Sequence, residues 1–418
     1  MEGENGSTGS NLCSDPMMHL FINALAASAG GGLTYIRNVI PHLASNLDVR
    51  VTVALPPQLG REFRSISNIK FLELEIPAAR RFWFEQSQLP AVIRHSGANV
   101  LLSAGNFALR RSPVPQILLS RNSIYTSADF YRDLLSRHEY RNWIDTRFRA
   151  MLAKKSIQWA DVTVAPSEAF AADLTRWSGK PVSAIHHGFD RDIFTRDESP
   201  LTADLEEKLR ADDNSVRLLF VSHYNYYRNF ETLIRALPSL RDRLRGKSVK
   251  LLLTCKLALG ENPGSYRPEA AAKLAREIGV SDMLVELGSV PYCQLHQIYG
   301  RADIYVTPAY TETFAHPLVE AMSSGLPIVA SDLPVHREIC HDAALYFPRF
   351  SPDELTERVA KIDASAGPRA RLTAAGKSRS MAFSWKEHVE KLLSEAAKLS
   401  GAPFGVPTPA SKSRAMSS

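Results

Sequence analysis

The feature that most restricts the fold of this chain is a regular alternation of short apolar runs with segments of helical period. In the first half the strand-like runs are HLFINAL, VRVTVAL, NVLLSAG, QILLS and DVTVAPS, and the helical segments include LTYIRNVIPHLA and the stretch from Trp143 to Trp159. Strands that alternate with helices favour parallel pairing, because each helix carries the chain back to the start of the next strand. The pattern therefore predicts an α/β protein with a parallel sheet covered by helices.

The alternation lapses once, in the polar segment from Asp190 to Asp213, and then starts again. After it, the strand-like runs VRLLFVS, Val249–Thr254, MLVELG and DIYVTPA accompany the helical stretch NFETLIRALPSLRDRL. A chain of 418 residues is long enough for two separate cores. We therefore interpret the polar segment as a linker between two doubly wound sheets. Ligands of such sheets bind beyond the C-terminal ends of the strands.

Composition and cysteine usage exclude several classes of protein. The hydrophobic content of 44% and the charged content of 22% are typical of globular domains, and no apolar run approaches the length of a membrane span. The four cysteines lie far apart, without a CxxC pair or a histidine cluster, so neither a disulfide scaffold nor a zinc site is predicted. A reducing cytosol is the expected compartment.

The N-terminus has an apolar stretch that could be mistaken for a signal peptide. The segment before it carries Glu2, Glu4 and Asp15 and no basic residue, whereas a secretory signal needs positive charge there. We expect residues 1–16 to be a disordered extension, with Met17 or Met18 as the functional start.

The positive charge of the chain is unevenly distributed. The net charge is +6, yet residues 80–155 alone contain 13 basic and 5 acidic residues. No nucleic-acid recognition module accompanies this charge, so a nucleic-acid partner is not expected. Attraction to anionic lipid headgroups or to a phosphate-bearing acceptor is the functional interpretation, and a basic solvated helix face is the alternative.

The stretch VTPAYTETFAHPLVEAMSSGLPIVAS, residues 306–331, carries the strongest functional signal. Pro317 suits the first turn of a helix and Gly325 suits its left-handed end, while LPIVAS is typical of a short buried strand. Glu312 lies in the loop before this helix, and Glu320 lies within it. Free N–H groups at a helix N-terminus attract phosphate, and a carboxylate can accept hydrogen bonds from a sugar diol. A nucleotide sugar contains both groups.

The spacing of two glutamates alone also fits two solvated carboxylates, but the surrounding residues make the pattern more specific. ExFxxPLxEAMxxGxPIVAS, followed by VHREIC, resembles the donor-site motif of the retaining glycosyltransferases of family 4. The resemblance is dense from Gly288 to Phe347 and continues more weakly back to about His19. One departure is Ala315, where the family commonly has glycine. We expect its methyl group to be tolerated, although it could restrict a close approach of phosphate to the backbone.

The resemblance implies the GT-B fold, in which two doubly wound Rossmann-like domains face each other across a cleft. It places an acceptor-side domain at residues 17–200 and a donor-binding domain at residues 201–378. The helix within residues 379–399 resembles the family's last helix, which packs back toward the first domain. The Pro/Ser-rich tail, residues 400–418, is expected to be disordered. The family is metal-independent, so neither a metal nor another cofactor is expected, the nucleotide sugar being a substrate.

The resemblance also assigns roles in the donor site. Arg228 stands where the family usually has lysine, and it would hold the pyrophosphate and stabilise the departing nucleoside diphosphate. Glu312 would bind hydroxyls of the donor sugar and Glu320 the ribose diol, while the N–H groups of Phe314 and Ala315 would bind the diphosphate. A second basic residue common in the family is missing. Lys256 is a candidate substitute, and an ordinary surface lysine is the alternative.

In the first domain, Gly30–Gly32 follow the first strand and precede a helix expected to begin near Leu33. Gly31 and Gly32 would let backbone N–H groups approach the donor phosphates. A plain tight turn is the alternative, and the pattern is not the dinucleotide fingerprint GxGxxG.

Two other positions of the first domain differ from the family's usual pattern or lack an assigned role. Many relatives carry a histidine and an acidic residue where this chain has Arg121 and Asn122, which we place on the acceptor side. Glu85 belongs to a recurrent family segment of unassigned role, and His187 is expected to be structural.

The sequence thus predicts a cytoplasmic hexosyltransferase that moves sugar from a nucleotide sugar to a glycan, a lipid-linked substrate or another cell-envelope acceptor. Peripheral contact with the inner face of the cell membrane is a further expectation. Two alternatives are a nucleotide-sugar epimerase on the same fold and a non-catalytic nucleotide-sugar-binding protein.

Overall fold

The structure is a computed structural model that describes residues 17–27, 30–210, 214–244, 246–262, 264 and 266–401. The expected N-terminal extension and all but the first two residues of the expected tail lie outside this described part. The chain divides into two compact units: residues 1–104, 109–117 and 389–418 form unit 1, and residues 105–108 and 118–388 form unit 2. The predicted domain boundary after residue 200 stays a prediction.

The first sheet has seven strands in the order β3-β2-β1-β4-β5-β6-β7. β1 is parallel to both β2 and β4, β2 is parallel to β3, and β6 is parallel to β7. The strands are β1 (His19–Asn23), β2 (Arg50–Leu55), β3 (Ile69–Glu73), β4 (Val100–Ser103), β5 (Gln116–Leu119), β6 (Val162–Ala165) and β7 (Ser183–Ala184).

The second sheet has six strands in the order β10-β9-β8-β11-β12-β13, and all of its neighbours pair in parallel. Its strand order reverses between β8 and β11, which is the point where doubly wound sheets bind ligands. The strands are β8 (Ser215–Phe220), β9 (Ser248–Leu253), β10 (Leu284–Glu286), β11 (Ile304–Thr307), β12 (Ile328–Ser331) and β13 (Ala344–Phe347).

Helices lie in the connections between consecutive strands, as the alternation predicts, except between β4 and β5, where residues 104–115 form a loop. The helices are α1 (Gly30–Ala44), α2 (Pro57–Gly60), α3 (Ala78–Ser87), α4 (Leu89–Ser96), α5 (Ala128–Ser136), α6 (Tyr140–Trp159), α7 (Glu168–Ser178), α8 (Arg191–Phe194), α9 (Ala203–Lys208), α10 (Phe230–Arg243), α11 (Glu269–Glu277), α12 (Leu295–Tyr299), α13 (His316–Ser323), α14 (Pro334–Cys340), α15 (Pro352–Asp363), α16 (Ala366–Ser380) and α17 (Trp385–Ser400).

Both faces of the second sheet are buried, which explains the nearly continuous apolar runs of its strands. Leu219 and Tyr305 belong to the apolar cluster on one face, whereas Leu218 and Ile304 belong to the cluster on the other face. Neighbouring residues of a strand point to opposite faces, so each strand contributes to both clusters. In unit 1, Phe21, Leu89 and Leu101 belong to a separate apolar cluster.

One local expectation needs correction. The helix predicted to start near Leu33 begins at Gly30, so Gly31 and Gly32 lie in the first turn of α1 rather than in a loop. Glycine adopts right-handed helical angles as readily as loop conformations, so composition alone did not locate this boundary. The polar segment after Asp190 contains the short helices α8 and α9, each with an N-cap side chain, from Asp190 and Thr202 respectively.

Candidate functional site

The donor motif forms a loop, a short helix and a strand, as the sequence predicts. Pro317 lies in the first turn of α13, and Gly325 follows its end with φ of 77°. The N–H of Leu326 donates to the carbonyl of Ala321 and the N–H of Gly325 donates to that of Met322, which is the Schellman pattern. The Schellman pattern closes the C-terminal end of α13, and β12 then carries the chain back into the sheet.

Ala315 is the residue that precedes α13, and its backbone is left-handed, with φ of 62° and ψ of 63°. A non-glycine residue in this region is strained because its Cβ approaches the neighbouring carbonyl oxygen. These backbone angles give a physical reason why relatives commonly have glycine here, while the tolerance of the methyl group toward a bound phosphate stays a prediction. The left-handed turn directs the chain into α13, where Pro317 has no N–H and the N–H of Leu318 donates to the carbonyl of Ala315 at 3.0 Å.

Arg228 lies beyond the carboxyl end of β8, in a 3₁₀ turn formed by Tyr226–Arg228. The next residue, Asn229, is left-handed with φ of 58° and occupies the N-cap position before α10. The Asn229 side chain donates to the carbonyl of Pro308, beyond β11, at 3.0 Å and to that of Arg349 at 2.6 Å. It thereby joins the loop after β8 to the loop after β11 at the reversal of strand order.

The side chains of Arg228 and Glu312 contact each other beside these two loops. Arg228 Nη1 forms an ion pair with Glu312 Oε1, and the two side chains are only 21% and 8% exposed. The N–H of Thr313 donates to Glu312 Oε2 at 3.2 Å. The residue predicted to bind diphosphate and the residue predicted to bind sugar hydroxyls therefore neutralise each other in the ligand-free protein. Their roles toward a ligand remain predictions.

Glu320 is buried in the middle of α13. It is 4% exposed, and the hydroxyl of Tyr299, at the end of α12, donates to its Oε2 at 2.8 Å. Burial raises the pKa of Glu320 to about 7, against which the hydrogen bond from Tyr299 acts only partly. The carboxyl is thus poised between its neutral and charged forms near neutral pH.

Phe314 belongs to a buried cluster of aromatic rings. Its ring lies 5.5 Å from that of His187 and 4.8 Å from that of His316. His187 Nδ1 and His316 Nε2 share a hydrogen bond at 3.1 Å, and His316 stacks on Trp385. This cluster anchors the start of α13, which agrees with the structural interpretation of His187.

Arg121 and Asn122 differ in what they contact. Burial, and after it the charge of Arg121, lowers the pKa of His316 to about 4. Arg121 therefore lies close enough to affect the histidine at the start of α13. The Asn122 side chain instead accepts a hydrogen bond from the N–H of Ile124 and caps the 3₁₀ turn Ser123–Tyr125. The acceptor-side role of both residues stays a prediction.

Lys256 follows β9 and is 46% exposed on its side chain. Its Nζ lies 3.6 Å from Glu261 Oε2, and its aliphatic stem passes the backbone of Gly288. Within the described residues, none of its recorded contacts involves Arg228 or Glu312. Lys256 therefore has the contacts expected of an ordinary surface lysine, which was the alternative to a role in the donor site.

The predicted glycines Gly31 and Gly32 belong to unit 1. A Cβ added to Gly31 would meet no atom within 4 Å, so local space does not require a glycine there. Glu85 of the same unit is buried, and desolvation raises the pKa of its carboxyl.

Sequence reasoning missed a set of contacts that hold the donor loop. The hydroxyl of Ser167 donates to the carbonyl of Thr313 at 2.7 Å, although the two residues are 146 positions apart. Glu338 accepts hydrogen bonds from the N–H groups of Glu168 and Ala169 and forms a pair with His186 at 2.6 Å. Glu338 is one of two charged residues in α14, so no local signal in the sequence singled it out.

The charge of Glu338 is stabilised by these contacts. Burial opposes the charged form, but the hydrogen bonds from His186 and from two backbone N–H groups outweigh it and lower the pKa of Glu338. The carboxylate also lies at the N-terminus of α7, where a negative charge is favourable.

Within the residues that the structure describes, no group of three or more histidine, cysteine, aspartate or glutamate side chains is arranged to hold a metal ion. Among the same residues, no helix combines the length and the apolarity that crossing a membrane requires.

Comparison with known proteins places both halves of the chain in one group. Residues 202–379 match the family model for glycosyl transferases group 1, and residues 29–193 match that for glycosyltransferase family 4. The D-inositol 3-phosphate glycosyltransferase of Nocardia farcinica is 28% identical over 221 residues, covering 50% of this chain and 48% of the relative. That of Xylanimonas cellulosilytica is 28% identical over 246 residues, covering 56% of each. The chain thus spans about half the length of the curated relatives it matches.

Solved structures share the architecture at low sequence identity. Sucrose-phosphate synthase from Thermosynechococcus elongatus superposes with a TM-score of 0.69 at 18% identity, covering 91% of this chain and 99% of that one. HepE from Anabaena, solved in complex with UDP-glucose, superposes with a TM-score of 0.68 at 15% identity, covering 91% and 100%. Both parallel sheets are those expected of the GT-B fold, which confirms the predicted fold class. The chain belongs to the group 1 glycosyltransferases.

Proposed function

We propose that this protein transfers a sugar from a nucleotide-sugar donor to a glycan, lipid-linked or other cell-envelope acceptor, with retention of anomeric configuration. The observation that carries the proposal is the buried ion pair of Arg228 with Glu312, located where the strand order of the second sheet reverses. The left-handed turn at Ala315 and the N-terminus of α13 follow Glu312 directly. A cation, a carboxylate and helix-end N–H groups are the set that a sugar diphosphate requires.

In this proposal the ion pair opens when the donor binds. The diphosphate takes over the guanidinium of Arg228, which releases the Glu312 carboxylate to accept hydrogen bonds from sugar hydroxyls. Arg228 and the first N–H groups of α13 then stabilise the charge that grows on the diphosphate as the glycosidic bond breaks. Glu320 accepts from the ribose diol. The acceptor hydroxyl attacks from the face that the leaving group vacates. Its oxygen bonds to the anomeric carbon as the bond to the diphosphate breaks, and its proton passes to the departing diphosphate oxygen, so no covalent nucleophile is needed.

The comparisons support the donor class more than they support the acceptor. HepE was solved with UDP-glucose, and the curated relatives are named for D-inositol 3-phosphate. A uridine diphosphate sugar is therefore the first donor to test, and a phosphorylated cyclitol is an acceptor to include beside lipid extracts. Cytoplasmic location and peripheral contact with an anionic membrane, where a lipid-linked acceptor would be met, belong to the same proposal.

Incubation of the protein with a panel of nucleotide sugars and these acceptors tests the proposal. We expect release of nucleoside diphosphate that depends on acceptor and a product whose anomeric configuration, read by NMR, equals that of the donor. Arg228→Ala and Glu312→Gln should each lower turnover at least about 100-fold. The matched control removes an exposed ion pair of α11, with Lys273→Gln and Glu277→Gln, and should leave turnover unchanged.

Other outcomes would replace the proposal. Conversion of the donor sugar without any acceptor would indicate an epimerase. Binding of a nucleotide sugar without turnover in any of these incubations would indicate a binding protein. A product with inverted anomeric configuration would contradict the retaining mechanism.

A further inference from the structure

Helix α6 has its large apolar residues on the outside. Tyr140, Ile144, Phe148 and Met151 each keep more than half of their surface exposed. They recur at intervals of four, four and three residues, so they form one stripe along the helix. Single exposed apolar residues are common on protein surfaces, but an aligned row marks an interaction site.

The buried face of the same helix is lined by small residues. Thr146, Ala150, Ala153 and Ser156 are buried, and Ile157 is the one large side chain among the buried residues of α6. The helix therefore packs through its small residues and presents its large apolar ones to solvent. Packing within unit 2 does not require the outer row, because its residues contribute little to the core.

Basic residues flank the row. Helix α6 contains Arg141, Arg147, Arg149, Lys154 and Lys155 and one acidic residue, Asp145, which is paired with Arg149 at 2.7 Å. The guanidinium of Arg147 lies 4.5 Å from the ring centre of Tyr131 and 5.0 Å from that of Trp143. Lys154 lies over the ring of Trp177. The aromatic contacts hold these two cations beside the apolar row.

We propose that the exposed face of α6 is a docking surface for an anionic lipid bilayer. Tyr140, Ile144, Phe148 and Met151 would enter the boundary between headgroups and acyl chains, while the flanking cations contact the headgroups. A second copy of the chain fits this face poorly, because a two-fold contact would place basic residues against basic residues. This surface specifies the membrane contact that the proposed function includes and rests on it in that respect, but its test is separate from that of sugar transfer, since lipid binding requires neither donor nor turnover.

Flotation with vesicles tests the surface directly. The full chain should bind vesicles of phosphatidylglycerol mixed with phosphatidylcholine and should not bind vesicles of phosphatidylcholine alone. Lys154→Gln and Lys155→Gln should each weaken binding about fivefold at low salt. The triple variant Ile144→Gln, Phe148→Gln, Met151→Gln should weaken it at least about tenfold and should remove any binding that persists at high salt.

Controls separate this surface from the rest of the molecule. Leu47→Gln and Met381→Gln replace other exposed apolar residues and should leave vesicle binding unchanged. A Phe148→Trp variant should gain fluorescence quenching by brominated lipid relative to the parent chain. Far-UV circular dichroism of each variant checks that the fold is kept.

Three results would overturn the proposal. Equal binding of the triple variant and the parent would exclude the apolar row. Salt-independent binding to neutral vesicles would exclude anionic recognition. A dimer of the parent that becomes a monomer in the triple variant, without lipid binding by either, would assign the surface to self-association.

Discussion

Glu320 shows how a single buried side chain can make ligand binding depend on pH. Its pKa is raised to about 7 because it is desolvated inside α13. A ribose diol donates to the ionised form, so a donor that binds there would select the carboxylate. Below pH 7 the free protein holds a proton on the Glu320 carboxyl. Binding of the ribose diol would have to release this proton.

We therefore expect affinity for a nucleoside diphosphate to fall as the pH is lowered from 8 to 6, by up to about tenfold for each pH unit below the pKa. Binding at pH 6 should release protons, which calorimetry in two buffers of different ionisation enthalpy measures. Glu320→Gln should bind more weakly at pH 8 and should lose this dependence. A parent protein with the same affinity across the range would refute the ribose assignment of Glu320.

Ala315 makes a separate prediction about backbone strain. Its left-handed angles cost about 1 kcal/mol or more relative to glycine, while glycine loses more entropy on folding. We expect Ala315→Gly to raise the free energy of unfolding by up to about 1 kcal/mol and to preserve or improve donor affinity. Ala272→Gly within α11, where the backbone is right-handed, should instead lower stability by about 1 kcal/mol. Thermal unfolding of both variants compares them, and equal losses would contradict the strain at Ala315.

These residues also mark what the sequence could and could not predict. Pro317 and Gly325 delimit α13 through local backbone preferences, so the pattern located both ends of the helix. The left-handed turn at Ala315 could not be derived from an alanine, and only its departure from the family's usual glycine pointed to it. The pairing of Arg228 with Glu312 depends on two adjacent strands distant in sequence, so no local signal predicted it.

At the scale of elements, α7 and α14 hold the donor loop between them. Ser167 caps α7 and donates to Thr313, while Glu338 of α14 accepts from the first N–H groups of α7. A network of this kind connects segments that are distant in sequence, and its energy comes from charge-assisted hydrogen bonds of a partly buried carboxylate.

We expect Glu338→Ala to lower the free energy of unfolding by roughly 1.5 kcal/mol, since it removes a charged acceptor from the exposed N–H of Glu168 and the partly buried N–H of Ala169. It should also lower donor affinity, because the Thr313 loop loses its support. Asp332→Ala is the matched control, since Asp332 pairs with Arg337 near α14 but on an exposed surface. That variant should change stability by no more than about 1 kcal/mol. If the two variants are alike in stability and donor affinity, α7 and α14 do not support the loop.

The strands of both sheets and the helices between them were predictable, because the spacing of apolar residues along a short segment is a local property. Helix α6 was predicted from Trp143 to Trp159 and extends from Tyr140 to Trp159. Contacts such as that of Ser167 with Thr313 were not predictable, because they depend on which segments the two sheets bring together. The basic charge of residues 80–155 was visible in the sequence, whereas the exposed apolar row of α6 required the burial of each side chain to be known.

At the scale of the whole molecule, the proposed reaction needs no metal ion. Arg228 and the N-terminus of α13 would supply the positive charge that a divalent cation supplies in other transferases. We expect turnover to be unchanged in excess chelator and to be unaffected by added Mg²⁺ or Mn²⁺. An activity that chelator abolishes and Mn²⁺ restores would show that Arg228 does not carry this charge alone.

A second feature at this scale is a set of charged contacts within unit 2 that joins α5 and the residue after it to the second sheet. Arg137 forms ion pairs with Asp133 at 2.7 Å and with Glu231 of α10 at 2.8 Å. The hydroxyl of Tyr310, beyond β11, donates to Asp133 at 2.8 Å. Burial raises the pKa of Asp133, so this carboxylate depends on its partners to stay charged.

Removal of Arg137 would leave Asp133 and Glu231 partly buried without their cation. We expect Arg137→Ala to lower the free energy of unfolding by roughly 2–3 kcal/mol, less than a fully buried pair because the guanidinium is 21% exposed. Arg132→Ala, one helical turn away, removes an exposed partner of Asp129 and should cost less than about 1 kcal/mol. Thermal unfolding measures both changes. The loss in Arg137→Ala should shrink as the pH is lowered, because the raised pKa of Asp133 favours its neutral form, which does not need the cation. A loss that stays the same at pH 4 and pH 8 would show that packing of the arginine over Tyr226, rather than charge, holds α5 to the second sheet.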